Sequence, residues 1–227
     1  MSSRTDRVSR WWQGLIAAVI LASLVIQLVL IFTGGADANS GESGESVGVR
    51  LWRLFSFFTI QSNLIVLAVA LALVRRPDRD GTVWRVVRLD SLLGIVITGL
   101  VFAIVLAPKL HLTGAALVAT IGFHYISPWA TLAAWLVLGP RPRMTWRTIP
   151  PAFIWPIAWL VYIFVQGAFT DWYPYPFLDV TDIGLAAALR NALLVVVLGI
   201  LLSLGFKTLD TNLPTVGRAR RKQIPPS

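Results

Sequence analysis

Three side chains in this sequence have types and spacings suited to nucleophilic chemistry: Thr59, Asn63 and His124. A hydroxyl is a poor nucleophile at its own pKa, and an adjacent base that takes its proton is the usual remedy. His124 is the only side chain within the long apolar runs that suits this task near neutral pH. The pattern therefore predicts a Thr–His pair that forms an acyl-enzyme with an ester.

Helical spacing predicts which polar groups accompany this pair. Asn63 follows Thr59 by four residues and Ser127 follows His124 by three, so each shares a helical face with its neighbour. Asn63, Ser127 or a backbone N–H could donate a hydrogen bond to the oxyanion of an ester intermediate. Small polar residues in membrane helices also hydrogen-bond between helices as a packing device. That simpler role is the expected one for four of them taken singly, Ser56, Thr98, Thr120 and Ser127.

A stiff aromatic loop, "GAFTDWYPYPFLDVTDIG" at residues 167–184, follows the fifth apolar run. Its prolines favour extended backbone, and we expect it to form a lid that presents Tyr175, Phe177 and Asp179 to the site. Arg190, just beyond it, could hold a substrate carboxylate. An ion pair between Arg190 and Asp179 or Asp182 is an equally good expectation.

The elements that must position these residues are membrane spans. The chain is 56% apolar and 14% charged over 227 residues, with a mean hydropathy of +0.71, which identifies an all-α integral membrane protein. Windows of about 20 residues cross the hydrocarbon layer. They predict six spans, Trp11–Phe32, Leu51–Val74, Val86–Ala107, Ala115–Leu138, Ile149–Ala168 and Gly184–Phe206. We expect one domain, residues 1–206, and a flexible basic tail, residues 207–227.

The polar residues of these spans concentrate at one depth. At 1.5 Å per residue, Thr59 and His124 each lie roughly 12 Å from the outer ends of their spans. Gln27, Thr98 and Gln166 fall near the same level, whereas the inner halves of the spans are nearly bare of polar groups. This layer predicts a cavity that opens toward the outer side, and it argues against a polar path through the membrane.

The net charge of +9 is concentrated in the segments on one side of the predicted membrane. Lys and Arg cluster before the first span, in alternate loops and after the last span, which predicts that both termini are cytoplasmic. Membrane lipids are the expected partners, and nucleic acid is not. The chain has no cysteine and two histidines, so we expect neither a metal site nor another cofactor.

Three blocks in this order carry a resemblance to a known family: "FFTIQSNL" around Thr59, "FHYISP" around His124 and "WYPYPFLD" at residues 172–179. They resemble the androgen-induced and androgen-dependent TFPI-regulating family of multi-pass membrane proteins, and the chain looks like a bacterial relative located in the inner membrane. The resemblance implies a threonine hydrolase that cleaves fatty acid esters of hydroxy fatty acids. It assigns the nucleophile to Thr59 and the histidine to His124, and it matches "YPFLD" to residues 175–179.

A second class of function is compatible with the same residues. A non-catalytic membrane protein could bind a lipid or a partner in the same cavity, or the chain could be a small transporter. Transporters usually show broken helices or paired repeats around polar sites at the midplane, and the sequence has no convincing repeat. A hydrolase requires Thr59 and His124 to lie within hydrogen-bonding distance, whereas a binding protein does not.

Overall fold

The computed structural model describes residues 3–35, 45–141 and 143–213. Residues 36–44, between the first two predicted spans, and the part of the predicted basic tail beyond residue 213 lie outside these residues. The described chain consists of helices and connecting turns, with no β-strand. Its α-helices are α1 Ser3–Phe32, α2 Val47–Ser56, α3 Phe58–Arg75, α4 Thr82–Val101, α5 Gly114–Ile121, α6 Ser127–Leu138, α7 Ile154–Thr170, α8 Val180–Ile183 and α9 Leu185–Asn212.

Among the described residues, six helical segments are long and apolar enough to cross a membrane, which confirms the predicted number of spans. In the third segment, built on α4, 61% of an apolar 18-residue stretch is buried inside the protein, and α4 packs against α3, α6 and α9. In the last segment, α9, only 17% of the corresponding stretch is buried. Because the exposed side chains of α9 are mostly apolar, this helix presents its surface to lipid while α4 forms the centre of the bundle.

The second predicted span, Leu51–Val74, is divided into α2 and α3 by extended backbone at Phe57, where φ is −66° and ψ is 129°. A helix end leaves backbone carbonyls without helical partners. Gln61 Nε2 donates to Phe55 O at 2.9 Å, and Trp159 Nε1 donates to Ser56 O at 2.9 Å. These donors stabilise the break. Ser56 and Thr59, three residues apart in one predicted span, therefore belong to different helices.

The third and fourth spans each contain a π-helical turn, Phe102–Leu106 and Gly122–Ile126. Such turns widen a helix locally and occur frequently at functional sites. A Cβ atom added at Gly122 would lie 1.9 Å from Ser23 Oγ, so only glycine allows α1 to pack this closely on the second turn. The two turns bring Phe102 and His124 into contact.

The last helix continues past the predicted domain boundary at residue 206 and ends at Asn212. Asp210 anchors this extension of the helix. Its side chain is fully buried, and its Oδ2 accepts hydrogen bonds from Arg143 N at 2.6 Å and Met144 N at 2.7 Å. The first residues of the predicted flexible tail thus belong to the helical bundle.

Candidate active site

Thr59 lies in the first turn of α3, directly after the break at Phe57, and is 6% exposed. The first backbone N–H groups of a helix have no partner within the helix and attract partial negative charge. Thr59 N donates to the hydroxyl oxygen of Tyr175 at 3.2 Å. The break in the second span therefore gives the candidate nucleophile a polarised backbone donor in its own residue.

His124 contacts Thr59 from the π-helical turn of the fourth span. Its Nδ1 lies 3.1 Å from Thr120 O, and because a carbonyl can only accept, Nδ1 carries the hydrogen. In the neutral ring this leaves Nε2 as an acceptor, and Nε2 lies 3.2 Å from Thr59 Oγ1. The ring also stacks on Phe102, with ring centroids 3.9 Å apart and an interplanar angle of 25°. His124 is thus held in the tautomer and orientation that a base acting on Thr59 requires.

Tyr175 completes a chain of three polar side chains. Its hydroxyl lies 3.2 Å from Thr59 Oγ1 as well as 3.2 Å from Thr59 N. Since the Thr59 hydroxyl donates to His124, the Tyr175 hydroxyl donates to Thr59 Oγ1. Burial raises the pKa of Tyr175 to about 12, so its hydroxyl keeps its proton at neutral pH. Tyr175 is therefore a hydrogen-bond donor next to the atom that would attack a substrate.

Asn63 positions these groups and does not line the cavity beside Thr59. Its Nδ2 donates to Thr59 O at 2.9 Å and to Phe123 O at 3.3 Å, which ties α3 to the π-helical turn. Both N–H groups of the amide are used by these bonds, so none remains for an oxyanion. Ser127, the other predicted side-chain donor, is fully buried, has no hydrogen-bond partner in the described part of the chain and does not line the cavity beside Thr59. Neither residue fits the predicted role of oxyanion donor.

The predicted contact between Asp179 and Arg190 is not formed. Asp179 caps α8, and its Oδ1 accepts from Thr181 N at 2.9 Å and from Thr181 Oγ1 at 2.6 Å. Arg190 is exposed and donates to Asn191 Oδ1 at 3.4 Å. Neither residue lines the cavity. A local helix cap satisfies the aspartate within two residues, which leaves no reason for it to reach the arginine.

A cavity of about 380 Å³ opens beside the Thr59–His124 pair. Phe57, Phe102 and Phe123 contribute aromatic walls, and residues 172–176 of the loop after α7 cover one side. Lys109 is the only lysine or arginine among the described lining residues. Gln27 also lines this cavity, is 4% exposed and has an Nε2 atom without a hydrogen-bond partner. The site therefore combines an apolar chamber with few polar groups, as small-molecule sites usually do.

A second, smaller cavity of about 60 Å³ is also lined by Thr59. Its lining is almost entirely apolar and comes from α4, α7, α9 and the residues around Leu178. Four residues line both cavities, Thr59, Phe102, Leu106 and Tyr175. The candidate nucleophile thus stands where two apolar spaces meet.

Two features of the site were not predicted from the sequence. The hydrogen bonds between Tyr175 and Thr59 join residues 116 positions apart, and no local pattern reports them. The break at Phe57 has no proline or glycine to signal it. The signal available was the cluster of Gln61, Ser62 and Asn63, because a break inside the membrane must be satisfied by nearby polar groups.

Comparisons with known proteins gave no match: no protein-family model, no curated protein and no solved structure is similar to this chain. Within the described part of the chain, no three His, Asp or Glu side chains group closely enough to hold a metal ion.

Proposed function

We propose that this chain is an intramembrane hydrolase of lipid esters, with Thr59 as nucleophile and His124 as base. The observation that carries the proposal is the 3.2 Å contact between Thr59 Oγ1 and His124 Nε2, in a histidine whose other nitrogen is bound to Thr120 O. A packing hydrogen bond does not require a fixed tautomer with its free nitrogen directed at a hydroxyl. A general base does.

Acylation would proceed by proton transfer and attack. Nε2 of His124 takes the hydroxyl proton of Thr59 while Oγ1 forms a bond to the ester carbonyl carbon, and the carbonyl electrons move to its oxygen. The Tyr175 hydroxyl donates a hydrogen bond to this oxyanion, and the Thr120 carbonyl stabilises the charged imidazolium through Nδ1–H. The intermediate then expels the alcohol oxygen, which takes the proton from Nε2 and leaves an acyl ester on Thr59.

Deacylation would repeat these steps with water. His124 Nε2 takes a proton from a water molecule as its oxygen attacks the acyl carbon. Collapse of the second intermediate breaks the bond to Thr59 Oγ1, and Nε2 returns the proton to the threonine. One ester and one water molecule give one carboxylic acid and one alcohol.

The shape of the site supports a substrate ester with an apolar chain on both its acyl and its alcohol side. Thr59 lines both cavities, so the acyl chain could enter one of them and the alcohol chain the other. Fatty acid esters of hydroxy fatty acids have this form, and they are the substrates that the resemblance to the androgen-induced and androgen-dependent TFPI-regulating family implies. Lys109 would attract the free carboxylate of such a substrate at the rim of the larger cavity.

Labelling of the purified protein tests this function. A fluorophosphonate probe should form one covalent adduct, and peptide mass spectrometry should locate it on Thr59. The same preparation should release free fatty acid from a branched fatty acid ester. If the protein resists the probe and hydrolyses no lipid ester, but an added lipid ester raises its melting temperature, the non-catalytic lipid-binding alternative replaces the hydrolase.

We further propose that the site faces the outside of a bacterial inner membrane and that both termini are cytoplasmic. The support is the concentration of Arg79, Arg85, Arg88 and Arg143 at the opposite end of the bundle, as the positive-inside rule requires. The chain has no cysteine, so single substitutions give a clean test. Asp182→Cys, at an exposed position near the site, should react with an impermeant maleimide in intact cells.

The matched control is Arg147→Cys, an exposed position near the opposite end of the bundle. It should react with the maleimide only after the membrane is opened. The reverse labelling pattern would overturn the orientation without affecting the proposed chemistry.

A further inference from the structure

Arg88 is a buried cation at the end of the bundle opposite the candidate active site. It lies on α4, is 8% exposed, and neither of its Nη atoms has a hydrogen-bond partner among the described residues. A guanidinium offers five N–H donors and stays protonated in proteins. Burying it with its terminal donors unpaired is costly, so its burial points to an acceptor supplied from outside the chain.

Arg88 lines a small cavity together with three more arginines, Arg79, Arg85 and Arg143. We call this the arginine cavity. Its volume is about 20 Å³, which is room for one water-sized atom. It lies between the ends of α3, α4, α6 and α9, where Arg79 is exposed and Arg88 is buried. An anion would therefore insert a single oxygen while the rest of it stays near the exposed arginine.

The acidic groups nearby do not neutralise this cluster. Asp80 pairs with Arg85 through two hydrogen bonds of 2.7 and 2.8 Å, and it also pairs with Arg143. Asp210 also lines the cavity; its Oδ2 accepts from the backbone N–H groups of Arg143 and Met144, and its buried Oδ1 has no hydrogen-bond partner among the described residues. The four arginines outnumber these two aspartates, so the cavity keeps a positive surplus.

Arg79 is held at the cavity by stacking, with its guanidinium 4.5 Å from the centre of the Trp84 ring. Planar guanidinium groups are suited to phosphate because they donate two parallel hydrogen bonds to its oxygens. Basic pockets between transmembrane helices at the cytoplasmic side are known to bind phosphate-bearing lipid headgroups. Charge, donor geometry and position in the bundle agree on one class of ligand.

We propose that the arginine cavity binds a phosphate anion, with Arg88 donating to one inserted oxygen and Arg79 to the oxygens at the mouth. This site is distinct from the cavity beside Thr59 and does not depend on the proposed hydrolysis. The phosphate belongs either to an anionic phospholipid or to a free phosphate ion, since both present the same oxygens.

Thermal unfolding of the full chain in neutral detergent tests the proposal. Three probes are compared at constant ionic strength: inorganic phosphate, short-chain phosphatidylglycerol and short-chain phosphatidylcholine. Wild type should melt at a higher temperature as a binding probe is added, and the shift should saturate. A response to inorganic phosphate identifies the free ion as sufficient, whereas a response to phosphatidylglycerol alone identifies the lipid.

Two substitutions locate the binding site. Arg79→Gln removes an exposed donor and should leave the fold intact, and Arg88→Gln removes the buried one. Each should raise the apparent Kd of the binding probe by roughly 10- to 100-fold, the effect of losing a charged hydrogen bond. Arg75→Gln is the control, because this substitution changes the net charge by the same amount. Arg75 is exposed at the neighbouring end of α3 and does not line the cavity.

Two outcomes would overturn the site. Wild type that shows no saturable shift with phosphate or phosphatidylglycerol has no such binding site, and Arg88 then contacts Asp210 through a water molecule in the cavity. A shift that Arg79→Gln and Arg75→Gln reduce equally reports general charge screening. Since Arg79→Gln is a surface change, the test remains decisive even if Arg88→Gln fails to fold.

Discussion

Thr59→Ala is expected to abolish lipid ester hydrolysis and fluorophosphonate labelling, with kcat falling by at least about 1,000-fold. The reason is that the attacking oxygen is removed while the 380 Å³ cavity around it remains. His124→Ala should lower kcat by roughly 100- to 10,000-fold, because Thr59 keeps its oxygen but loses the base that activates it. Thr59→Ser should retain part of the activity, since a hydroxyl remains at the same position.

Thr131→Ala provides the matched control for this pair of substitutions. Thr131 is 2% exposed on α6, makes no hydrogen bond through its hydroxyl and lines neither cavity at Thr59. Thr131→Ala should keep wild-type activity, and its small change in melting temperature should be similar to that of Thr59→Ala. If Thr59→Ala instead lowers only the melting temperature and leaves hydrolysis unchanged, Thr59 is a packing residue and another group is the nucleophile.

Hydropathy was sufficient to predict the number of spans and their order, because a helix in hydrocarbon needs a continuous apolar run and little else. The break at Phe57 could not be predicted in the same way. It is stabilised by Trp159, which lies 103 residues from the Ser56 carbonyl that it binds, and by Gln61. Breaks that depend on such distant donors leave no periodic signal, and the windowed hydropathy remains that of an unbroken helix.

The approach of Thr59 to His124 could be anticipated from depth, because antiparallel spans bring residues at matched depth to one level of the bundle. The position of a residue around its helix predicted its function less well. It put Asn63 on the face of Thr59, but the nearest acceptors for its amide are backbone carbonyls, Thr59 O and Phe123 O. A short polar side chain in a membrane helix satisfies itself locally before it reaches a ligand.

The same local preference explains the failure of the predicted Asp179–Arg190 contact. Aspartate followed two residues later by threonine is a helix N-cap pattern, and the structure uses it at α8. Opposite charges in neighbouring segments suggested an ion pair, yet an exposed pair contributes little stability and competes poorly with a cap. The N-cap pattern is therefore the stronger predictor at that position.

The second large effect is expected for Tyr175→Phe, which removes one oxygen and keeps the aromatic ring. We expect kcat to fall by about 100-fold with little change in KM, because the hydroxyl would act on the oxyanion and not on the bound ester. Burial raises the pKa of Tyr175 to about 12, so its hydroxyl stays protonated at every pH at which activity would be measured. The loss should therefore be equal across roughly pH 6 to 9, which a kcat profile against pH measures directly.

Tyr162→Phe is the control for this substitution. The Tyr162 hydroxyl also has two partners, Ser56 Oγ at 2.7 Å and Trp52 Nε1 at 3.0 Å, but it lines neither cavity at Thr59. We expect Tyr162→Phe to lower the melting temperature about as much as Tyr175→Phe does and to keep full activity. The reason is that, of these two tyrosines, only Tyr175 is bound to both Oγ1 and N of Thr59. Should Tyr175→Phe react faster with the fluorophosphonate than wild type, the hydroxyl blocks the first turn of α3 in the resting protein. In that case the backbone N–H groups of this turn, and not the phenol, would stabilise the oxyanion.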